Sequence, residues 1–524
     1  KKVDIIGNHQ MLKHQKKKQD KNNCSEELSE SSDVLSQNIS KNLPYVVKMS
    51  DIMGRYLVAA RPLKAGELVI HEDPLAIGPC VDSEPTCLGC YQPLENDIYK
   101  CPACKWPLCA SNCPGIGKQY GHSVTECNVL RNKASVDALK NCNKTCLKPL
   151  YEAILPLRCL LMKKDLEFKW NQLMEMESHN DIRKKIPSLW NRNQEVIVNR
   201  IKKIWGITDF TEEEIHTVCG VIEVNCFEIG QNGAKARALY PSAFLLAHDC
   251  RPNTTHVDHP KDHSMSIRVT RPLKAGAQIT LSYAYTFQGT LKRREHLQEG
   301  KFFWCQCDRC RDPTELGTYS SALHCPKCQS GIILSTDPLN NMAAWKCKNC
   351  EYKVSAQSMF LLLEKMFKDL DTLDPHDIAG LEEYLQRYRN VLTENHYLNI
   401  SAKYNLLQLY GRMDGYIINE LSEECLKRKE KYCRDVLKVV DILEPGLSRL
   451  RGVIMYELHA PIMILATRLF ETKRISSNEL RKRLQEVVKL LKESKKILLM
   501  EPEGSSEHTM AIAAKDALER IGPI

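Results

Sequence analysis

The residues most able to do chemistry are cysteines. The chain has 24 of them in 524 residues, and most fall in short-spaced groups. In a triplet near the middle, Cys305, Cys307 and Cys310 offer three thiols in C-x-C-x2-C order. A tetrahedral zinc site needs a fourth ligand, and Cys250, in the turn HDCRPN, is the candidate. That bond would clamp the turn against the later loop and enclose a pocket between them. The strand ITLSYAY, with Ser282–Tyr283 near its end, lies between the two. Upstream, Cys87-x2-Cys90, Cys101-x2-Cys104, Cys109-x3-Cys113 and His122-x4-Cys127 supply eight ligands, enough for two zincs. So many ligands in a stretch with almost no aliphatic core imply folding by metal. Downstream, Cys325-x2-Cys328-x18-Cys347-x2-Cys350 has the spacing of a zinc ribbon. Four Zn²⁺ are therefore expected. Cys24, Cys142, Cys146, Cys159 and Cys219 lack such spacing and read as ordinary thiols.

These groups have to be positioned by a chain of 60.0 kDa, long enough for two to four domains. Apolar content of 43% and charged content of 27% are ordinary for a globular protein. No run of about 18 apolar residues occurs and no signal-peptide pattern opens the chain, so no membrane span is expected. Cysteine clusters of this kind argue for zinc rather than disulfides, which places the protein in the cytoplasm and nucleus. The formal charge of +9 invites a nucleic-acid reading. Thiolate ligation of four zincs lowers it to about +2, so no nucleic-acid partner is expected.

Residues 1–44 are polar, carry the basic run Lys13–Lys21, and read as a disordered tail. Residues 45–80 read as short strands, with turns at Met53–Gly54 and Lys64–Ala65–Gly66. Here ARPLKAGELVI (Ala60 to Ile70) is nearly repeated as TRPLKAGAQIT (Thr270 to Thr280). Two such copies predict paired hairpins of one β fold, split by an insertion. The insertion holds the double zinc module (81–134) and a helical segment (135–235). Tyr151–Asp165, Asn193–Ile207 and Thr211–Ile229 have apolar residues at helical spacing, the last behind a Thr N-cap. The second half of the β fold occupies 236–300, the cysteine triplet 301–312 and the ribbon 313–355. From 356 to 524 only helical patterning remains, with Leu484, Val487, Val488, Leu491 and Leu498 on one face.

The order and the motifs HDCRPN, SYAY and CQCDRC resemble the SET-and-MYND family of protein lysine methyltransferases, in its arthropod type. The resemblance spans about residues 45 to 520. It implies an α+β fold: a SET-type β fold split by a MYND zinc module and a helical insert, a post-SET zinc site, an extra ribbon, and a C-terminal TPR-like helical array that roofs the substrate cleft. By the MYND pattern Cys87, Cys90, Cys109 and Cys113 hold one zinc, and Cys101, Cys104, His122 and Cys127 the other. The implied activity is transfer of a methyl group from S-adenosylmethionine to a lysine of a histone or non-histone protein. A catalytically weak scaffold of the same family is the alternative.

Residue by residue, Tyr283 matches the catalytic tyrosine. Gly54, Arg55, Ala247, His248, Tyr283 and Phe303 match the cofactor contacts, and Phe227 with Tyr283 the substrate channel. Plain packing roles stay open for Phe227, Tyr283 and Phe303. Tyr285 would share the face of Tyr283 if the strand continues that far. Three positions depart from the family: Tyr56 replaces a glycine, Ala247 an asparagine and Asp249 a serine. Loss of the asparagine hydrogen bond would weaken cofactor binding about ten- to a hundredfold. Implied partners are a lysine-bearing protein substrate and peptides bound by the MYND finger; a monomer, with no membrane contact, is expected.

Overall fold

The computed structural model describes residues 43–524, apart from 52, 81–84, 95–97, 141–143, 231–234, 329 and 523–524. The expected tail over 1–44 lies almost wholly outside the described residues, as do Cys24 and Cys142. The first strands form a hairpin, β1 (Tyr45–Ser50) against β2 (Gly54–Ala59), antiparallel. Gly54 begins the return strand at φ +64°, a conformation that side-chain-bearing residues rarely adopt.

The two PLKAG copies pair with each other. The amide of Leu63 donates to Leu273 O at 2.9 Å, and that of Leu273 donates back to Leu63 O at 3.0 Å. Gly66 N donates to Val269 O at 2.7 Å, and its counterpart Gly276 N to Ala59 O at 2.8 Å. Both glycines sit at positive φ, +87° and +77°. Neither hairpin can satisfy these backbone groups alone, so the halves must meet to close the core. That core contains Leu57, Leu63, Ile70, Ala238, Leu246, Ile267 and Ile279. The strands β3 (Leu68–Glu72), β4 (Ala76–Pro79), β7 (Phe227–Ile229), β8 (Ala236–Leu239), β10 (Thr254–Asp258) and β11 (Met265–Val269) form two mixed-origin sheets, ordered β10-β11-β3 and β4-β8-β7.

Between the halves, the helix Ile154–Asp165 packs on β4. It is apolar nearly all round, with Leu155, Leu157, Cys159 and Leu160 buried, because it lies between the sheet and its neighbouring helices. Gly78 permits the close approach: a Cβ there would meet Leu155 Cβ at 2.5 Å. Two expectations change. The segment 135–235 is not helical to its end, because the helix Glu212–Asn225 stops and Phe227–Ile229 joins β8 as a strand. Asn193–Ile207 is not a plain α-helix either. It winds as π-turns over Gln194–Val198 and Arg200–Ile204, which periodicity near 3.6 does not separate from α.

Strands of the ribbon follow as a four-stranded antiparallel sheet between Leu323 and Val354. From Ala356 the described chain is helical, with Glu423–Leu443, Arg449–Glu471, Ser477–Leu498 and Ser506–Ile521 packed in succession. Arg449–Glu471 is long and apolar enough to cross a membrane by length and composition, although Glu457 interrupts its apolar run. It is a core helix: Ile454, Leu458, Ile462 and Leu465 are buried, and its buried Glu457 pairs with Lys429 at 2.7 Å. The helices are tied to the β fold by Leu447 N to Thr270 O at 2.8 Å and Arg251 Nε to Ile442 O at 2.8 Å.

Candidate active site and metal centres

The turn around HDCRPN is held from several sides. Ala247–His248 (β9) runs parallel to Thr280–Leu281 (β12), and Asp249 N continues the ladder to Leu281 O at 3.0 Å. Asn253 clamps the same strand with its side chain: Thr280 N donates to Oδ1 and Nδ2 donates to Gln278 O, both at 2.8 Å. The chain therefore enters the crossing in one geometry, and Cys250 meets the triplet. Cys250 Sγ lies 3.6 Å from that of Cys310 and 3.9 Å from that of Cys305, and the four sulfurs of Cys250, Cys305, Cys307 and Cys310 all lie within 4.8 Å. A tetrahedron with Zn–S bonds of about 2.3 Å requires edges of about 3.8 Å, so the donor set fits zinc.

Arg293 supports this cluster. It is buried, with Nε 3.3 Å from Cys250 Sγ and a terminal nitrogen 3.6 Å from Cys310 Sγ. Its other nitrogen pairs with Glu315 at 2.8 Å, and Glu315 also takes Arg309 at 2.9 Å. Burial alone would raise the Glu315 carboxyl, but the two guanidiniums outweigh it and hold its pKa at about 2. Two cations and one carboxylate leave one positive charge facing the sulfurs, which would offset half of the net negative charge of four thiolates on one zinc.

Against this cluster sit the side chains expected to contact a cofactor and substrate. His248 Nδ1 accepts the Tyr283 amide at 2.9 Å, which leaves Nε2–H to face Cys250 Sγ at 3.2 Å. The Tyr283 hydroxyl donates to the Leu246 carbonyl. Burial pushes the Tyr283 pKa up, so the phenol keeps its proton. The rings of Tyr283 and Phe303 flank that of His248 at 5.3 and 5.9 Å. Lys301 brings its ammonium to 5.8 Å from the Tyr283 ring centre. Arg55 donates to the Glu175 carbonyl and lies 5.4 Å from the Phe244 ring, in the turn just before Ala247. Gly54 precedes it, with open space where a side chain would stand. Phe227 packs on Tyr240 and His256, each at 5.7 Å, and belongs with Tyr283 to the same apolar cluster. Tyr285 does not share the face of Tyr283. The strand ends at Leu281, so alternation lapses, and Tyr285 is 54% exposed with its ring edge-on to Phe287.

The upstream ligands form two clusters, Cys87 with Cys90, Cys109 and Cys113, and Cys101 with Cys104, His122 and Cys127. His122 faces Cys104 Sγ through Nε2 at 3.3 Å and contacts Glu126 Oε1 through Nδ1 at 2.7 Å. Buried Glu126 in turn pairs with Arg158 at 2.5 Å. Arg158 also donates to Ile77 O at 2.8 Å, the Tyr91 hydroxyl at 2.7 Å and Leu88 O at 3.0 Å. One side chain from the insert thus ties the β fold to the metal module. The fourth cluster joins Cys325, Cys328, Cys347 and Cys350. Sequence spacing did not reveal Glu126, Arg158, Arg293 or Glu315. The available signal was Glu126, one helical turn after His122.

A family model of the SET domain matches residues 54–284. The chain is 27% identical over 428 residues to the Drosophila melanogaster SET domain-containing protein SmydA-8, isoform B, covering 78% of this chain and 89% of that one. It is 26% identical over 263 residues to the human histone-lysine N-methyltransferase SMYD3, covering 49% of this chain and 59% of that one. A Dictyostelium discoideum SET and MYND domain-containing protein is 32% identical over 144 residues, 24% of this chain and 34% of that one. The matched SET segment brackets both upstream cysteine clusters, and the chain is similar to SET-domain proteins and to SET- and MYND-domain proteins.

Proposed function

We propose that the protein is an S-adenosylmethionine-dependent protein-lysine N-methyltransferase whose pocket is walled by a zinc-stapled chain crossing. The observation that carries this reading is the convergence of Cys250 with Cys305, Cys307 and Cys310 against His248, Tyr283 and Phe303. Four sulfur-rich clusters suit four zincs, each with donors of the required type and separation. The pocket suits the cofactor in kind: a ring pair able to face a purine, a backbone turn from Ala247 to Asp249, and a cation at Lys301. When bound, S-adenosylmethionine supplies the methyl group.

The chain's own residues have three tasks. Tyr283 and the Leu246 carbonyl present a hydroxyl and an acceptor that orient an incoming amine. Phe227, Tyr240 and Tyr283 line a largely apolar approach, and desolvation there favours the neutral, nucleophilic amine over ammonium. The zinc cluster fixes His248, and through it the Tyr283 backbone. The substrate is a lysine-bearing protein, and the MYND-type module offers a site for a peptide partner. The weak-scaffold alternative draws support from Ala247, whose side chain offers no hydrogen bond to a ligand.

The test is transfer of radiolabelled methyl groups to proteins of a cell lysate, with the label located by mass spectrometry. The expected result is lysine methylation that falls at least tenfold in Tyr283→Phe. No lysine labelling by the wild-type protein would contradict the reading.

A further inference from the structure

Lys301 ends the helix Thr290–Lys301 and is half-buried. Its ammonium donates to Val224 O at 2.6 Å and reaches Glu223 O at 3.4 Å. These are late carbonyls of the helix Glu212–Asn225, where the backbone dipole favours a cation. The ammonium also stands 5.8 Å from the Tyr283 ring, a second cation-favouring surface. Among the described residues it forms no ion pair: the side chain of Glu223, the residue before Val224, is engaged by Arg183 at 3.4 Å. Burial pulls the Lys301 pKa down, and the surrounding Cys226, Glu223 and Glu228 only partly restore it. The result is a partly desolvated cation beside Tyr283, held by neutral oxygens and a ring. An ammonium has three donors, and the carbonyls take two.

We infer that Lys301 binds the carboxylate of an amino-acid-bearing nucleoside in this pocket. The inference rests on the methyltransferase reading and deepens it by assigning the residue that recognises the cofactor's amino-acid tail. A sulfonium and an α-ammonium would be repelled by Lys301, whereas the carboxylate is the one group of that tail with the charge it lacks. A charge-assisted hydrogen bond at a site shielded from water contributes about ten- to a hundredfold in affinity. Alanine at position 247 makes such an anchor more valuable, since the backbone there is the only polar group it presents.

Calorimetric titration of the zinc-loaded protein with S-adenosylhomocysteine and with its decarboxylated analogue tests this without any turnover. Wild type is expected to prefer the carboxylated ligand by tenfold or more. Lys301→Met should lose that preference by weakening the carboxylated ligand alone, and Lys301→Arg should retain most of it; zinc content and circular dichroism report that each variant is folded. Equal or tighter binding of S-adenosylhomocysteine by Lys301→Met overturns the assignment, and tighter binding would mean that the ammonium competes with the ligand. Methylation found on Lys301 itself would also overturn it. If wild type binds neither compound, the methyltransferase reading fails first and takes this assignment with it.

Discussion

At the scale of single residues, buried charge decides which side chains the site cannot lose. Arg158 and Glu126 are both almost fully buried, and each satisfies the other while reaching a different part of the fold. Removing the cation leaves a carboxylate without compensation in a dry environment. Arg158→Met should therefore destabilise the protein by about 3–5 kcal/mol in urea unfolding. Glu126→Gln is a milder change that keeps the shape but weakens the acceptor behind His122. It should reduce zinc affinity at that cluster about ten- to a hundredfold in a chelator competition. Side chains of this sort were invisible to spacing, because Arg158 lies far along the chain from every atom it bonds. Fifteen of the sixteen clustered ligands were legible for the opposite reason, since they fall in short local groups that a sequence displays; Cys250, 55 positions from Cys305, was legible only as the fourth ligand the triplet lacked.

At the scale of elements, the repeat and the crossing explain how distant segments find each other. The two PLKAG turns were legible as a repeat, and their mutual hydrogen bonds follow from each lacking a partner otherwise. The early end of β12 was not legible, because ITLSYAY alternates as a strand should. What stops it is His248 and the Leu246 carbonyl, which capture the Tyr283 amide and hydroxyl and turn the chain. The π-turned helix near Ile197 escaped for a similar reason, since its apolar residues fit either winding. Between the β fold and the C-terminal helices, Gly446 lies at φ +88°, and a Cβ there would collide with the Thr270 carbonyl. Neighbouring Leu447 N bonds that same carbonyl. Gly446→Ala is expected to cost about 1–3 kcal/mol and to loosen this junction. Hydrogen exchange should show the loss first at the Leu447 amide.

At the scale of the whole molecule, stability depends on metal and on proton concentration. His396 is fully buried, and Nδ1 accepts the Leu398 amide at 3.2 Å, a role only the unprotonated nitrogen can fill. Burial lowers its pKa to about 3, against an unfolded value near ~6.5. The unfolded chain thus binds the proton more readily between those values. The contribution of neutral His396 is complete above about pH 6.5 and is lost as pH falls toward 3, by about 2 kcal/mol at pH ~5. His396→Asn, which can still cap the helix Tyr397–Leu409, should show a flatter stability profile than wild type over that range.

The metal-stapled crossing is the claim on which the enzymatic reading stands, and it makes the zinc cluster one wall of the proposed ligand site. Binding of S-adenosylhomocysteine to the zinc-loaded wild type and to Cys250→Ser tests that link most directly. The account predicts saturable one-to-one binding by wild type, and loss of both one zinc and the binding in Cys250→Ser. Absence of heat from wild type at millimolar ligand, or unchanged binding by Cys250→Ser after it has lost its zinc, would contradict it.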